Sequence, residues 1–387
     1  MATVALPTAD RRLETYRTRG PRPWPVKPAN AFNRSALAAA HVVADPLAEC
    51  DPWLDAPVDW DATIAYRRHL WRLGLGVAEA MDTAQRGMGL DWKTSLELIR
   101  RSIEAAKSEG GAVVFSGAGT DHLPPGRYPL DAIIRAYEEQ IAAIEALGGR
   151  VIIMASRALA ASARSPDDYG AVYDRILRQL REPAIIHWLG DMFDPALAGY
   201  WGHKDLDGAT EVALDVIRRN AAKVEGIKVS LLDKDRELAM RRRLPRGVRM
   251  YTGDDFNFAE LIAGDEQGYS DALLGILDAI APAASAALAA LARGSRNEFQ
   301  DMLAPTVPLS RHIFKAPTRF YKTGIVFMAY LNGHQKHFVM IGGQESARSM
   351  LHLAELFRLA DAAGLLIDPD LAASRMTTVL RGHGIDA

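Results

Sequence analysis

The chain has a single cysteine, Cys50, so it can form no internal disulfide and no thiolate metal cluster. Its charges nearly cancel, with 46 Lys and Arg against 48 Asp and Glu. That balance gives no electrostatic reason to expect nucleic acid or an acidic membrane as partner. No apolar run reaches the length of a bilayer span, and the N-terminal stretch lacks the apolar core of a secretory signal. A cytoplasmic location is therefore expected. No strand-like segment leads into a Gly-x-Gly-x-x-Gly turn, which leaves an open doubly wound sheet without support. His-x-His and His-Glu-x-x-His spacings are also missing, as is any short internal repeat.

What is present is a large apolar fraction, 49% of 387 residues, ample for a barrel-sized core and an addition. Strand-length apolar segments occur at 35–45, 76–81, 112–116, 151–155, 184–189, 224–233, 248–251 and 268–273. Segments with helical spacing lie between them at 59–73, 91–109, 129–147, 165–180 and 208–220. Asp59 suits a helix cap, Ser165-Pro166 a helix start, and Gly148-Gly149 a helix stop. Eight strands alternating with helices predict an α/β fold, a (β/α)8 TIM barrel. After Pro282 the periodicity is helical to the end. The expected organisation is an irregular N-terminal arm over 1–30, rich in proline, then the barrel over 31–297. A C-terminal helical segment follows over 298–387. The arm is expected to lie across the barrel floor or against a neighbouring subunit.

The stretch 224–233 carries the chemistry. Side chains alternate along a strand, so Gly226, Lys228 and Ser230 share one face while Ile227 and Val229 share the other. In a barrel the aliphatic pair faces the helices and the lysine faces inward. There it loses hydration, its pKa falls, and the free amine can attack a carbonyl carbon. The plainer alternative is a lysine at a sheet edge whose ammonium reaches water.

Three motifs favour the first reading. Gly226-Ile-Lys-Val-Ser resembles the Gly-Ile-Lys-Asp/Glu-Ser strand of the dihydrodipicolinate synthase / N-acetylneuraminate lyase family of class I aldolases. Thr252-Gly-Asp-Asp is similar to that family's Ser-Gly-Asp-Asp, and Gly268-Tyr-Ser to its Gly-Val/Ile-Ser. The resemblance spans most of the chain and implies a Schiff base on Lys228. It also implies a mouth at the carboxyl ends of the strands, bringing together Asp82, Thr83, Ser116, Ser156, His187, Thr252 and Gly253, with Ser230 in the pocket wall. The family's Gly-Thr-Thr-Gly-Glu is Asp82-Thr-Ala-Gln-Arg86 here. Arg86 is then expected to grip an acid with its fork, and Asp82 to suit a polyol hydroxyl. His187 stands where the family has a proton-relaying tyrosine, and takes the shuttle role. Asp254 and Asp255 read as helix caps.

The function implied is a Schiff-base lyase or aldolase for a keto sugar, sugar acid or related polyhydroxylated carbonyl compound. It would need no cofactor and would act by retro-aldol cleavage, condensation or dehydration. Self-association into a homo-oligomer is expected, without nucleic acid or membrane as partner. One alternative is a metal-dependent isomerase or epimerase drawing on His41, Asp45, His122, His187 and His203. Another is a non-catalytic sugar-binding barrel. Trp188 and Trp201 read as loop packing, with a stacking wall for a sugar ring as the alternative.

Overall fold

A computed structural model describes residues 1–25 and 32–386. Eight parallel strands close a barrel: β3 (Ala36–Ala39), β4 (Gly76–Glu79), β5 (Val114–Ala118), β6 (Arg150–Ile153), β7 (Ala184–Leu189), β8 (Val224–Ser230), β9 (Arg249–Thr252) and β10 (Asp271–Leu274). They pair in sequence order, and β10 returns to β3. The (β/α)8 architecture expected from the alternating pattern is the one observed.

Local sequence explains where the helices begin. Asp59, Asp91, Asp205 and Asp233 each accept a hydrogen bond from the amide three residues on, at 2.7–3.1 Å. Each such cap contributes about 1 kcal/mol to its helix. Ser165 and Asp168 form a reciprocal capping box ahead of Pro166–Arg178.

The barrel interior is filled. Leu37, Ala39, Ala78, Phe115, Ile152, Ile185, Tyr251 and Leu273 point inward and pack as one cluster. The alternate residues, such as Val77, Val114, Ile227 and Val229, join the layer between strands and helices. Gly226 makes the inner layer possible, because a Cβ there would lie 2.8 Å from the Tyr251 ring. A bulge between β7 and β8 sets the phase, since Ala184 pairs with Val224 but Ile185 pairs with Gly226. From that point His187 lies across from Lys228 and Leu189 across from Ser230.

The N-terminal arm departs from expectation. Thr3–Pro7 (β1) and Leu13–Arg17 (β2) pair as an antiparallel hairpin, and the arm docks on the C-terminal helices. Tyr16 Oη donates to Asp361 at 2.8 Å, and Trp24 Nε1 donates to the Gly364 carbonyl at 3.1 Å. Strand alternation is present in Val4 and Leu6, both buried, but five residues give too short a period to stand out among the prolines. The last part of the expected arm, with Pro28, lies outside the described residues.

In the C-terminal segment the helix Tyr321–Leu331 is buried along its whole length. A helix apolar on every side belongs in a core. It packs between the barrel and the outer helices Met350–Ala362 and Pro369–Gly382, with its first residue at the barrel mouth. Among the described residues, no helix is long and apolar enough to cross a membrane.

Candidate active site

Lys228 enters the barrel interior at the carboxyl end of β8, between His187 of β7 and Tyr251 of β9. It is 7% exposed, and among the described residues its ammonium has neither a hydrogen-bond partner nor an ion pair. The backbone of Gly253 lies against its stem, where an added Cβ would come within 2.9 Å of Lys228 Cε. Burial lowers the lysine pKa, against the opposing pull of the Asp255 and Asp82 charges. Burial acts on Asp255 in the same sense, raising its carboxyl to about 7 despite the Ile276 amide and the Lys228 charge. Both groups are pushed towards their neutral forms.

His187 is fully buried, with Nε2 3.2 Å from Ser230 Oγ and Nδ1 without a partner. Burial first, and then the charge of Lys228, hold its pKa well below the usual histidine range. At neutral pH it is an uncharged imidazole, with one ring nitrogen a hydrogen-bond donor and the other an acceptor.

A cavity of about 440 Å³ opens over the carboxyl ends of β4 to β7. Asp82 and His187 are part of its wall, and these are the residues whose charge and position bear on Lys228. Lys228 itself is not in the wall. The size falls within the range of small-molecule sites.

Of the residues expected at the mouth, Lys228, His187, Ser230 and Gly253 adjoin one another, and Asp82 is near enough for its charge to act on Lys228, while Thr83 pairs with Tyr321. Four others have different roles. Ser116 follows inward-facing Phe115 and so turns outward with Val114 and Ala118, its hydroxyl buried without a partner. Thr252 follows Tyr251 in the same way, and donates to Glu237 at 2.9 Å on the helix Lys234–Arg241. Ser156 caps the helix Arg157–Ser162, accepting from the Leu159 amide and pairing with Thr120 Oγ1 at 2.6 Å. Arg86 lines the cavity, yet every donor of its fork is taken. Asp121 accepts at 2.9 and 2.7 Å, and Gln140 and the carbonyls of Gly117 and Ala80 take the rest. It cannot grip a substrate acid while that network stands.

Asp254 does cap, accepting from the amides of Phe256 and Asn257. Asp255 caps too, but at Ile276 after β10, and that role carries its carboxyl towards Lys228. The spacing Thr-Gly-Asp-Asp could not separate the two aspartates. Trp201 is buried against Tyr169, Tyr173 and Tyr200, and Trp188 is buried against Trp201, so the two form no sugar-stacking wall. Among the described residues no three His, Cys, Asp or Glu side chains converge as metal ligands. His41 is held by Asp278 at 2.8 Å, and His122 by Gln140 at 2.8 Å.

Two site residues come from the C-terminal helix and carry no signal in the sequence. Tyr321 Oη lies 2.8 Å from Thr83 Oγ1, and burial, with Asp82 and Asp255 nearby, keeps the phenol protonated. Lys322 is also buried, its pKa lowered to about 8 by desolvation. Its amine donates to the Arg319 carbonyl at 3.1 Å and to Met88 Sδ at 3.4 Å.

Known structures share this architecture. Dihydrodipicolinate synthase from Aquifex aeolicus superposes with a TM-score of 0.64 at 12% identity, covering 86% of this chain and 99% of that one. The enzyme from Oceanobacillus iheyensis gives 0.59 at 17%, covering 84% and 96%. A prophage protein of the dihydrodipicolinic acid synthase family from E. coli, solved with pyruvate, gives 0.64 at 12%, covering 92% and 100%. At such identities the likeness is one of fold. No curated protein matches the sequence. The model of one family does match it, across residues 4–385, and the chain belongs to that family, described as a protein of unknown function, DUF993.

Proposed function

We propose that the protein is a Schiff-base-forming lyase or aldolase with Lys228 as its nucleophile. The observation that carries this reading is a lysine at the carboxyl end of a barrel strand, buried, unpaired, and with its charged form disfavoured. Its neutral amine would add to a carbonyl carbon, whose oxygen leaves as water. The resulting iminium would draw in the electron pair released when a bond at the adjacent carbon breaks. Neutral His187 is suited to move protons at that carbon or at the departing oxygen. Asp82, to which no described residue donates through its side chain, is free to accept from a hydroxyl beside the carbonyl. Sugars and sugar acids are among the hydroxylated carbonyl compounds this end of the site could take.

The test is reduction with borohydride in the presence of carbonyl compounds, read by intact mass and peptide mapping. An adduct is expected that disappears in Lys228→Ala and persists in Lys322→Ala. The second variant matters because Lys322 is the other buried amine near Asp82. An adduct unaffected by Lys228→Ala would end the proposal.

A further inference from the structure

Much of the cavity wall is unlike a sugar site. Its apolar part includes Leu123, Pro124, Ala158, Leu189, Ala196 and Leu197, contributed by the end of β7 and the segments after β5, β6 and β7. The polar side chains among them are largely engaged with one another. Arg86 is spent on Asp121, Gln140 and carbonyls, and Asp121 accepts from Gln140 Nε2 as well, at 3.0 Å. Arg157 Nε donates to Asp194 at 2.5 Å, leaving only its outer nitrogens at a half-exposed rim. Thr120 is paired with Ser156. A polyol entering here would surrender several water hydrogen bonds and find few replacements, a loss of affinity that grows with each hydroxyl. An apolar group would lose nothing polar and cover apolar wall.

We infer that the substrate is a β-hydroxy carbonyl compound whose far half is apolar, an aryl- or branched-alkyl-bearing aldol rather than a sugar. This rests on the Schiff-base reading for its carbonyl end. Lys228 condenses with the carbonyl, and the β-hydroxyl lies by Asp82 with the apolar group against the apolar wall of the cavity. Cleavage breaks the bond between the α and β carbons and leaves its electron pair in the enamine. The hydroxyl proton passes to neutral His187, and an apolar aldehyde departs. Protonation of the enamine carbon and hydrolysis of the imine by water then free the small ketone and the lysine.

The probes are the aldol of acetone with benzaldehyde, and fructose. Borohydride trapping is measured on the parent protein, and equilibrium binding on Lys228→Ala, which cannot condense. The expected result is benzaldehyde release and trapping at Lys228 with the aryl aldol, and at least about tenfold weaker binding of fructose. Leu123→Ser, at a half-buried rim position, should weaken the aryl probe about tenfold more than it slows trapping of acetone. Fructose trapped or bound as well as the aryl aldol would overturn the inference and leave the Schiff base standing. Selective binding of the aryl probe to Lys228→Ala, with no carbonyl trapped on the parent, would uphold the apolar cavity and remove the Schiff base. Binding of neither probe would overturn the inference.

Discussion

Gly253 and Lys228 touch across adjacent barrel strands. A Cβ at Gly253 would fall 2.9 Å from Lys228 Cε, 2.7 Å from the Val229 carbonyl, and closer still to Ser230 Oγ. The glycine therefore leaves room for the lysine stem, and no side chain fits there without moving it. Gly253→Ala is expected to displace the amine and cost about 1–3 kcal/mol through overpacking. Borohydride trapping at Lys228 should slow at least about tenfold while the far-ultraviolet dichroism of the barrel is retained. Trapping at the parent rate would show that the stem has another route.

Asp255 sets how far the Lys228 amine is biased towards neutrality. Its negative charge opposes the lowering that burial imposes on the lysine. The amine is reactive when deprotonated, so trapping should rise with pH and level off below the ordinary lysine value of 10.5. Asp255→Asn removes the opposing charge, and the rise should move to lower pH. A profile unchanged in Asp255→Asn would mean that the two side chains do not share a field.

The barrel was readable because its strands and helices alternate along the chain with caps where helices begin. Lys228 was readable because strand alternation puts it on the face opposite Ile227 and Val229. Alternation also contained the answer for Ser116 and Thr252, but only once the phase of each strand was known. That phase depends on which neighbour faces inward, Phe115 and Tyr251. Arg86 shows the converse limit, since its partners Asp121 and Gln140 lie 35 and 54 residues away. Tyr321 reaches Thr83 across 238 residues, and nothing local marks it.

That long-range contact can be tested by itself. Tyr321→Phe leaves the ring in place and strands the buried Thr83 hydroxyl, at an expected cost of about 1–3 kcal/mol in denaturant unfolding. The parent phenol stays protonated far above neutral pH, so it contributes no charge to the titration of Lys228. The pH profile of trapping should accordingly stay where it is in Tyr321→Phe, in contrast to Asp255→Asn. A shifted profile would assign the phenol an electrostatic role that its geometry does not suggest.

Glu237 carries the clearest dependence of stability on pH. It lies buried behind β9 and β10, accepting from Ser270 Oγ at 2.7 Å and from Thr252 Oγ1 at 2.9 Å. Burial raises its carboxyl from 4.5 to about 8, outweighing the hydrogen bonds that favour the ionised form. Below pH 4.5 both folded and unfolded chains hold the proton, and there is no penalty. As pH rises from 4.5 towards 8 the unfolded chain releases the proton while the folded one keeps it, so stability falls; above 8 the penalty is complete. Glu237→Gln keeps the shape and the hydroxyl contacts but cannot ionise. The variant should therefore unfold at higher urea concentration than the parent at pH 8, by on the order of a few kcal/mol. Near pH 5 the two midpoints should nearly coincide. An equal gap at both pH values would mean that Glu237 is already ionised in the folded protein, with Ser270 and Thr252 compensating its buried charge.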